Sequence, residues 1–152
     1  MTTALEPYHG GSYLMPSLGH ATVADAMHPG ILSCDPGASY REVATIMVTH
    51  HVHCVAVMDI ARDGSGDSMV WGIISDLDLL TAADDKGAEL TARDLAAQAV
   101  ISLRPGTSLI QAGELMRANG VSHVVVIDPE TQRPIGILST LDVAGVLAWG
   151  EA

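Results

Sequence analysis

A chain of 152 residues with a net charge of −11 and only seven Lys and Arg, all scattered, lacks the clustered cations that neutralise a nucleic-acid backbone. Hydrophobic residues make up 48% and charged residues 16%, which supports a packed core and excludes a charge-swollen tail; no apolar run nears the roughly 18 residues of a membrane span. Two cysteines, Cys34 and Cys54, make no disulfide framework, and no basic-then-apolar leader opens the chain, so the expectation is a soluble, cytoplasmic protein.

Residues 1–20 carry Pro, paired Gly and Ser without apolar periodicity, and are expected to form a flexible arm that Tyr8, Tyr13 and Leu14 can dock. From Thr22 onward the chain repeats. Pro36-Gly37 returns as Pro105-Gly106, a shift of 69 residues from position 36 to position 105. The same shift pairs Asp25 with Asp94, Ser33 with Ser102, Ser39 with Ser108, Met47 with Met116, Val52 with Val121 and Asp59 with Asp128. It falls to 64 between Gly72-Ile73-Ile74-Ser75-Asp76-Leu77-Asp78 and Gly136-Ile137-Leu138-Ser139-Thr140-Leu141-Asp142, positions 72 and 136. The extra residues of the first copy fall in the Gly/Ser/Asp run 61–68, where a turn absorbs an insertion most easily.

The local signals agree between copies. Short apolar runs at 31–33 and 100–103 stop at Pro-Gly and read as strands. Ser39 with Glu42, and Ser108 with Gln111, fit the capping box and start helices over Tyr40–His50 and Leu109–Asn119. Val43, Ala44, Ile46 and Met47, then Ala112, Leu115 and Met116, give each helix one buried stripe. Asn119-Gly120 is a good helix stop and His50-His51 a poorer one. Strands follow at 54–59 and 124–128, then at 70–74 and 135–138, and helices close the copies at 77–83 and 141–149. The expected organisation is therefore α/β: repeat one over 21–83, a polar linker over 84–90, repeat two over 91–149 and a tail over 150–152, each repeat in the order β-α-β-β-α.

The turns Ser75-x-x-Asp78 and Ser139-x-x-Asp142 admit two readings. A carboxylate can accept from both vicinal hydroxyls of a ribose, while a serine at a helix start lies beside free backbone N–H groups that favour an anion. Ser-x-x-Asp before a helix is equally a plain N-cap.

The tandem repeat, its element order, the two Gly-x-x-Ser-x-x-Asp turns, the entry Ala24-Asp25-Ala26-Met27 and the Val-rich strands ending at Asp59 and Asp128 together resemble a CBS-domain pair, or Bateman module, over residues 22–148. The resemblance implies two half-domains packed through small mixed sheets with pseudo-twofold symmetry, helices outside, and two clefts between them. It implies that Ser75 and Asp78 work with Ile101, Ser122 and His123, and that Ser139 and Asp142 work with Leu32, His53 and Cys54. Leu32 and Ile101 would line a base, and His53 and His123 would lie beside a phosphate. It further implies an adenosine-type ligand, with no cofactor required, and a homodimer through the helices that regulates an unidentified partner protein.

Departures from the family pattern narrow the ligand. Leu77 and Leu141 stand where relatives often carry Arg, Ala56 and Val125 replace the usual Pro of the second strand, and no Lys or Arg falls at the phosphate positions. Two neutral histidines do not hold a triphosphate as an arginine fork does, so AMP, ADP or a neutral adenosyl compound is favoured over ATP. The alternatives are a ligand-free dimeric scaffold and a metal-binding protein using His50, His51, His53 and Cys54. No nucleophile–base arrangement marks an enzyme. Trp71 and Trp149 read as core or dimer-interface residues, and the last helix, apolar nearly all round, reads as a dimer face.

Overall fold

The computed structural model describes residues 15–60, 64, 66, 68–83, 89–96 and 100–150. Tyr8, Tyr13, Leu14, most of the 61–68 insertion, residues 84–88 of the linker and the last two residues of the tail lie outside that set.

The first repeat contributes α1 (Val23–Ala26), β1 (His28–Pro29), β2 (Ser33–Cys34), α2 (Tyr40–His50), β3 (Cys54–Ile60), β4 (Ser68–Ser75) and α3 (Asp76–Ala83). The second contributes α4 (Ala92–Leu95), β5 (Ser102–Leu103), α5 (Leu109–Asn119), β6 (His123–Ile127), β7 (Pro134–Ser139) and α6 (Thr140–Trp149). The expected helices α2 and α5 appear with the expected ends. Ser39 Oγ accepts the Glu42 N–H while Glu42 accepts the Ser39 N–H, and Ser108 Oγ accepts the Gln111 N–H. Val43 and Met47 bury one stripe of α2, and Leu109, Ala112 and Met116 that of α5.

Both helices stop on a left-handed residue, Gly120 at φ 62° and His51 at φ 53°. Histidine therefore does the work glycine does in the other copy, with a Cβ that the left-handed region disfavours. His51→Gly is expected to stabilise the fold by roughly 0.5–1 kcal/mol, measurable as a higher urea midpoint at unchanged m.

The 69-residue shift survives in the backbone pairing. Ser33 pairs with Ala56 and Cys34 with Val57, both parallel; Ser102 pairs with Val125 and Leu103 with Val126 in the same way. The antiparallel pairs β3–β4 and β6–β7 each slip register once, between Val57 and Met58 and between Val126 and Ile127. One sheet has the order β2-β3-β4 and the other β1-β7-β6-β5. The two halves meet through Cys54, Ile73 and Val125, with Ile31, Val70, Val100, Ile127 and Ile137 around them.

The short entry helices cross over. Val23 and Ala26 of α1 are buried among Leu103, Leu109, Met116, Val124 and Leu138, all of the second repeat. Ala92 and Ala96, from α4 and its C-cap, are buried with Val43, Met47, Val55 and Ile74 of the first. Matching hydrogen bonds hold both. Val23 and Ala24 N–H donate to Thr107 and Pro105 C=O at 2.8 and 2.9 Å, and Ala92 and Arg93 N–H donate to Ala38 and Pro36 C=O at 2.7 and 3.0 Å. Each Pro-Gly turn thus offers carbonyls to the free N–H groups of the other repeat's helix. The described end of the N-terminal arm is packed as well: Met15 is buried in the second core, with Leu18 against it.

Candidate functional site

Each Ser-x-x-Asp turn joins a strand to a helix at the edge where the repeats face one another. Backbone bonds fix the turns to the residues just before β3 and β6: Asp76 N–H donates to His53 C=O, and Thr140 N–H to Ser122 C=O, each at 3.0 Å. At the first turn, Ser75 N–H and Oγ–H donate to Asp78 Oδ2 at 2.8 and 3.0 Å, and Asp78 N–H returns to Ser75 Oγ at 3.3 Å. At the second, Ser139 N–H donates to Asp142 Oδ2 at 2.8 Å and Asp142 N–H to Ser139 Oγ at 3.2 Å. In both turns the serine caps the helix and the aspartate closes the capping box.

They differ in what is left over. Asp78 is half-buried, and its Oδ1 accepts no hydrogen bond from the described residues. The Asp142 side chain is 2% exposed, and its Oδ1 lies 2.7 Å from Nδ1 of His28, on β1. Neither His28 nor β1 is signalled by the sequence, since two residues beside a proline carry no periodicity. Ordered pairing places them: His28 opposite Ile137, Pro29 opposite Gly136, and Gly30 N–H on Ile135 C=O at 2.8 Å. Gly136 is required there, because a Cβ would sit 2.5 Å from the His28 carbonyl oxygen.

The hydrogen bond and the charge of Asp142 raise the His28 pKa above its ordinary 6.5, against the opposing effect of burial. Stability from this pair is therefore complete below pH 6.5 and lost as pH rises through the elevated folded value. The stability deficit of His28→Ala relative to wild type is expected to be larger at pH 6 than at pH 9, as read by urea denaturation.

His53 and Asp76 form an exposed pair at 2.9 Å, and that hydrogen bond holds the Asp76 carboxyl below the usual carboxylate range. Thus His53 reaches its own repeat's turn. His123 is half-buried, with Nδ1 2.9 Å from Ser122 Oγ. Burial pushes its pKa down; Asp76, Asp142 and Asp78 pull it up and His53 opposes them, so His123 sits among the acids of both turns. Cys54 is buried between the sheets, and desolvation with the charges of Asp142 and Asp76 pushes its thiol up to about 12. Leu32 and Ile101 hold equivalent places, their carbonyls accepting from Ala56 and Val125 N–H at 2.9 and 3.0 Å. Ile101 also packs against the second core, and Leu32 is half-exposed.

No arginine or lysine stands among these residues. Arg93 pairs with Asp59 at 3.1 Å and lies over the Trp71 ring, which packs against the first core. Among the described residues no cluster of three His, Cys, Asp or Glu is placed to hold a metal ion, and no helix is long and apolar enough to cross a membrane. The helices expose apolar side chains instead: Leu77 and Leu80 of α3, and Leu141, Leu147 and Trp149 of α6, are each more than half exposed.

Two crossed repeats, each with strands, helices and a capped Ser-x-x-Asp turn at their junction, define a CBS pair. The CBS domain model matches twice, over residues 23–85 and 92–148, and the chain belongs to that family. Among curated relatives, the CBS domain-containing protein YhcV of Bacillus subtilis is 22% identical over 126 residues, covering 82% of this chain and 84% of that one. The homoserine O-acetyltransferase of Methanohalophilus mahii is 24% identical over 140 residues, 91% of this chain; the chain spans only 27% of that protein's length, and 25% of its counterpart from Methanohalobium evestigatum.

Solved structures share the fold. The CBS domain pair of protein MJ0100, in complex with 5′-methylthioadenosine and S-adenosyl-L-methionine, superposes with a TM-score of 0.72 at 20% identity, covering 84% of this chain and 96% of that one. CBSX2 in complex with AMP gives 0.64 at 24% identity, with the same coverage. The CBS-domain containing protein ATU1752 from Agrobacterium tumefaciens gives 0.68 at 25% identity, covering 82% and 96%.

Proposed function

We propose that this chain is a regulatory sensor that takes an adenosine-type ligand between its repeats and transmits occupancy to a partner protein through its shape or dimer geometry. The observation that carries this reading is Asp78. One of its oxygens is fixed by Ser75, the other accepts no hydrogen bond from the described residues at the N-terminus of α3, and the Asp78 charge acts on His123 of the other repeat. A carboxylate held in that way is preorganised for a ribose diol. The ligands bound by the CBS pairs of MJ0100 and CBSX2 support the adenosyl class. The charge balance narrows it: Asp76, Asp78 and Asp142 all act on His123, and no Lys or Arg falls at the positions the resemblance assigns to a phosphate, which disfavours a triphosphate. AMP, ADP or a neutral adenosyl compound is preferred over ATP.

Thermal unfolding with AMP, ADP, ATP and S-adenosylmethionine tests this. At a hundredfold excess over Kd a ligand adds about 2.7 kcal/mol, or roughly 5–10 °C for a chain of this size. AMP is expected to give the shift and ATP a smaller one; a flat response to all four overturns the sensor reading.

A second reading, a ligand-free dimeric scaffold, draws on the exposed leucines and Trp149 of α3 and α6. Both readings use the same helix face for a homodimer, since exposed apolar helix faces favour association. Light scattering at micromolar concentration is expected to give twice the chain mass, and a monomer overturns the dimer.

A further inference from the structure

The two turns are equivalent by sequence and unequal in space. At Asp142 every carboxylate oxygen is engaged, Oδ2 by Ser139 N–H and Oδ1 by His28. The histidine belongs to a strand fitted to its place. β1 pairs with β7 at two positions, Gly30 N–H closes on Ile135 C=O, and Gly30 turns the chain away with φ 83°. The side of β7 against β1 has been cleared for it, since the Cβ that Gly136 lacks would overlap the His28 carbonyl. β7 sets only Ile137 and Gly136 opposite β1, so the charge facing His28 comes from Asp142 of α6. The Asp142 charge also acts on the Cys54 thiol and on His123.

We infer that β1 carries a built-in occupant of the second cleft: His28 takes the Asp142 oxygen that a ribose would use, so one adenosine-type ligand binds per chain, at Asp78, and Asp142 becomes available only when the His28 side chain is withdrawn. The stoichiometry, though not the contact itself, rests on the sensor reading above. The two copies also differ in sequence at this point. The 69-residue shift matches His28 to Ala97, whose methyl group cannot donate to a carboxylate, and it matches Pro29 to Gln98. A ligand competing for Asp142 must replace a charge-assisted hydrogen bond that is already made. A ligand at Asp78 Oδ1 displaces no donor of the described residues.

Isothermal titration of the full chain with AMP reads the stoichiometry. Wild type is expected to bind one AMP per chain, Asp78→Ala none, Asp142→Ala one, and His28→Ala two. His28→Val, which keeps a strand-forming side chain, serves if the alanine variant unfolds. Two AMP per wild-type chain, with one lost in Asp142→Ala, overturns the inference and leaves the sensor reading standing. No binding by any variant counts against the sensor reading for AMP, and the contact is then decided without ligand. In NMR titrations His28 is expected to ionise above its ordinary 6.5 and to fall back in Asp142→Asn. A His28 titration unmoved by Asp142→Asn overturns the inference whatever binds.

Discussion

Asp78→Ala is expected to abolish the AMP-induced thermal shift while leaving the chain folded. A hydrogen bond to a charged group contributes about 1.5–3 kcal/mol, so losing the ribose contact weakens binding roughly tenfold to more than a hundredfold, enough to erase the shift when ligand is held near the wild-type Kd. The substitution also removes the aspartate half of a capping box, which costs stability of its own. Asp94→Ala separates the two effects. Asp94 accepts from Thr91 N–H and Oγ1–H at 2.9 and 3.0 Å, the same cap as Ser75 gives Asp78, but at the start of α4. Both variants should lose comparable stability without ligand, and only Asp78→Ala should lose the response to AMP. An Asp78→Ala chain that still responds refutes the ribose assignment.

Gly136→Ala is expected to destabilise the chain by about 1–3 kcal/mol, the usual cost of forcing a methyl group into filled space. The atom in the way is the backbone carbonyl of His28, with Met27 Sδ 3.2 Å from the same point, so relief comes only by moving β1 off β7. Gly113→Ala should act in the opposite direction. It lies inside α5, nothing stands within 4 Å of its missing Cβ, and alanine in a helix interior gains roughly 0.5–1 kcal/mol over glycine. Urea denaturation of the two variants should move the midpoint to either side of wild type. Equal shifts of the same sign would show that the close approach of β1 does not constrain this position.

The duplication was legible because it is written in side-chain periodicity, capping and turn chemistry, all of which are local. Helices α2 and α5 ended at the expected residues since a Ser cap and a left-handed C-cap bracket each. The entry segments were not legible. Ala24-Asp25-Ala26-Met27 reads as the start of repeat one, yet Val23 and Ala26 fill the core of repeat two. No property of four residues specifies which of two near-identical grooves they enter. The candidate site shows the same limit. Ser/Thr-x-x-Asp occurs in the same hydrogen-bonded form at Thr22–Asp25, Thr91–Asp94, Ser75–Asp78 and Ser139–Asp142, so the pattern marks a helix start before it marks a ligand. What distinguishes Asp78 from Asp142 is a residue far away in the chain, His28.

The crossing of α1 and α4 makes the repeat in sequence a different object from the lobe in space. The helix that closes the second lobe emerges first, and its hydrogen-bonding partners at Pro105 and Thr107 follow about 80 residues later, a long-range closure of the kind that slows folding. The first lobe in turn waits for Ala92 and Ala96. Neither lobe is complete until most of the chain is present, which ties the two into one cooperative unit despite their separate cores. A chain severed in the linker would yield fragments that each hold the other's missing helix, a pair that reassembles by exchange and not two free-standing domains. The same exchange, made between two intact chains, offers a route to an intertwined dimer.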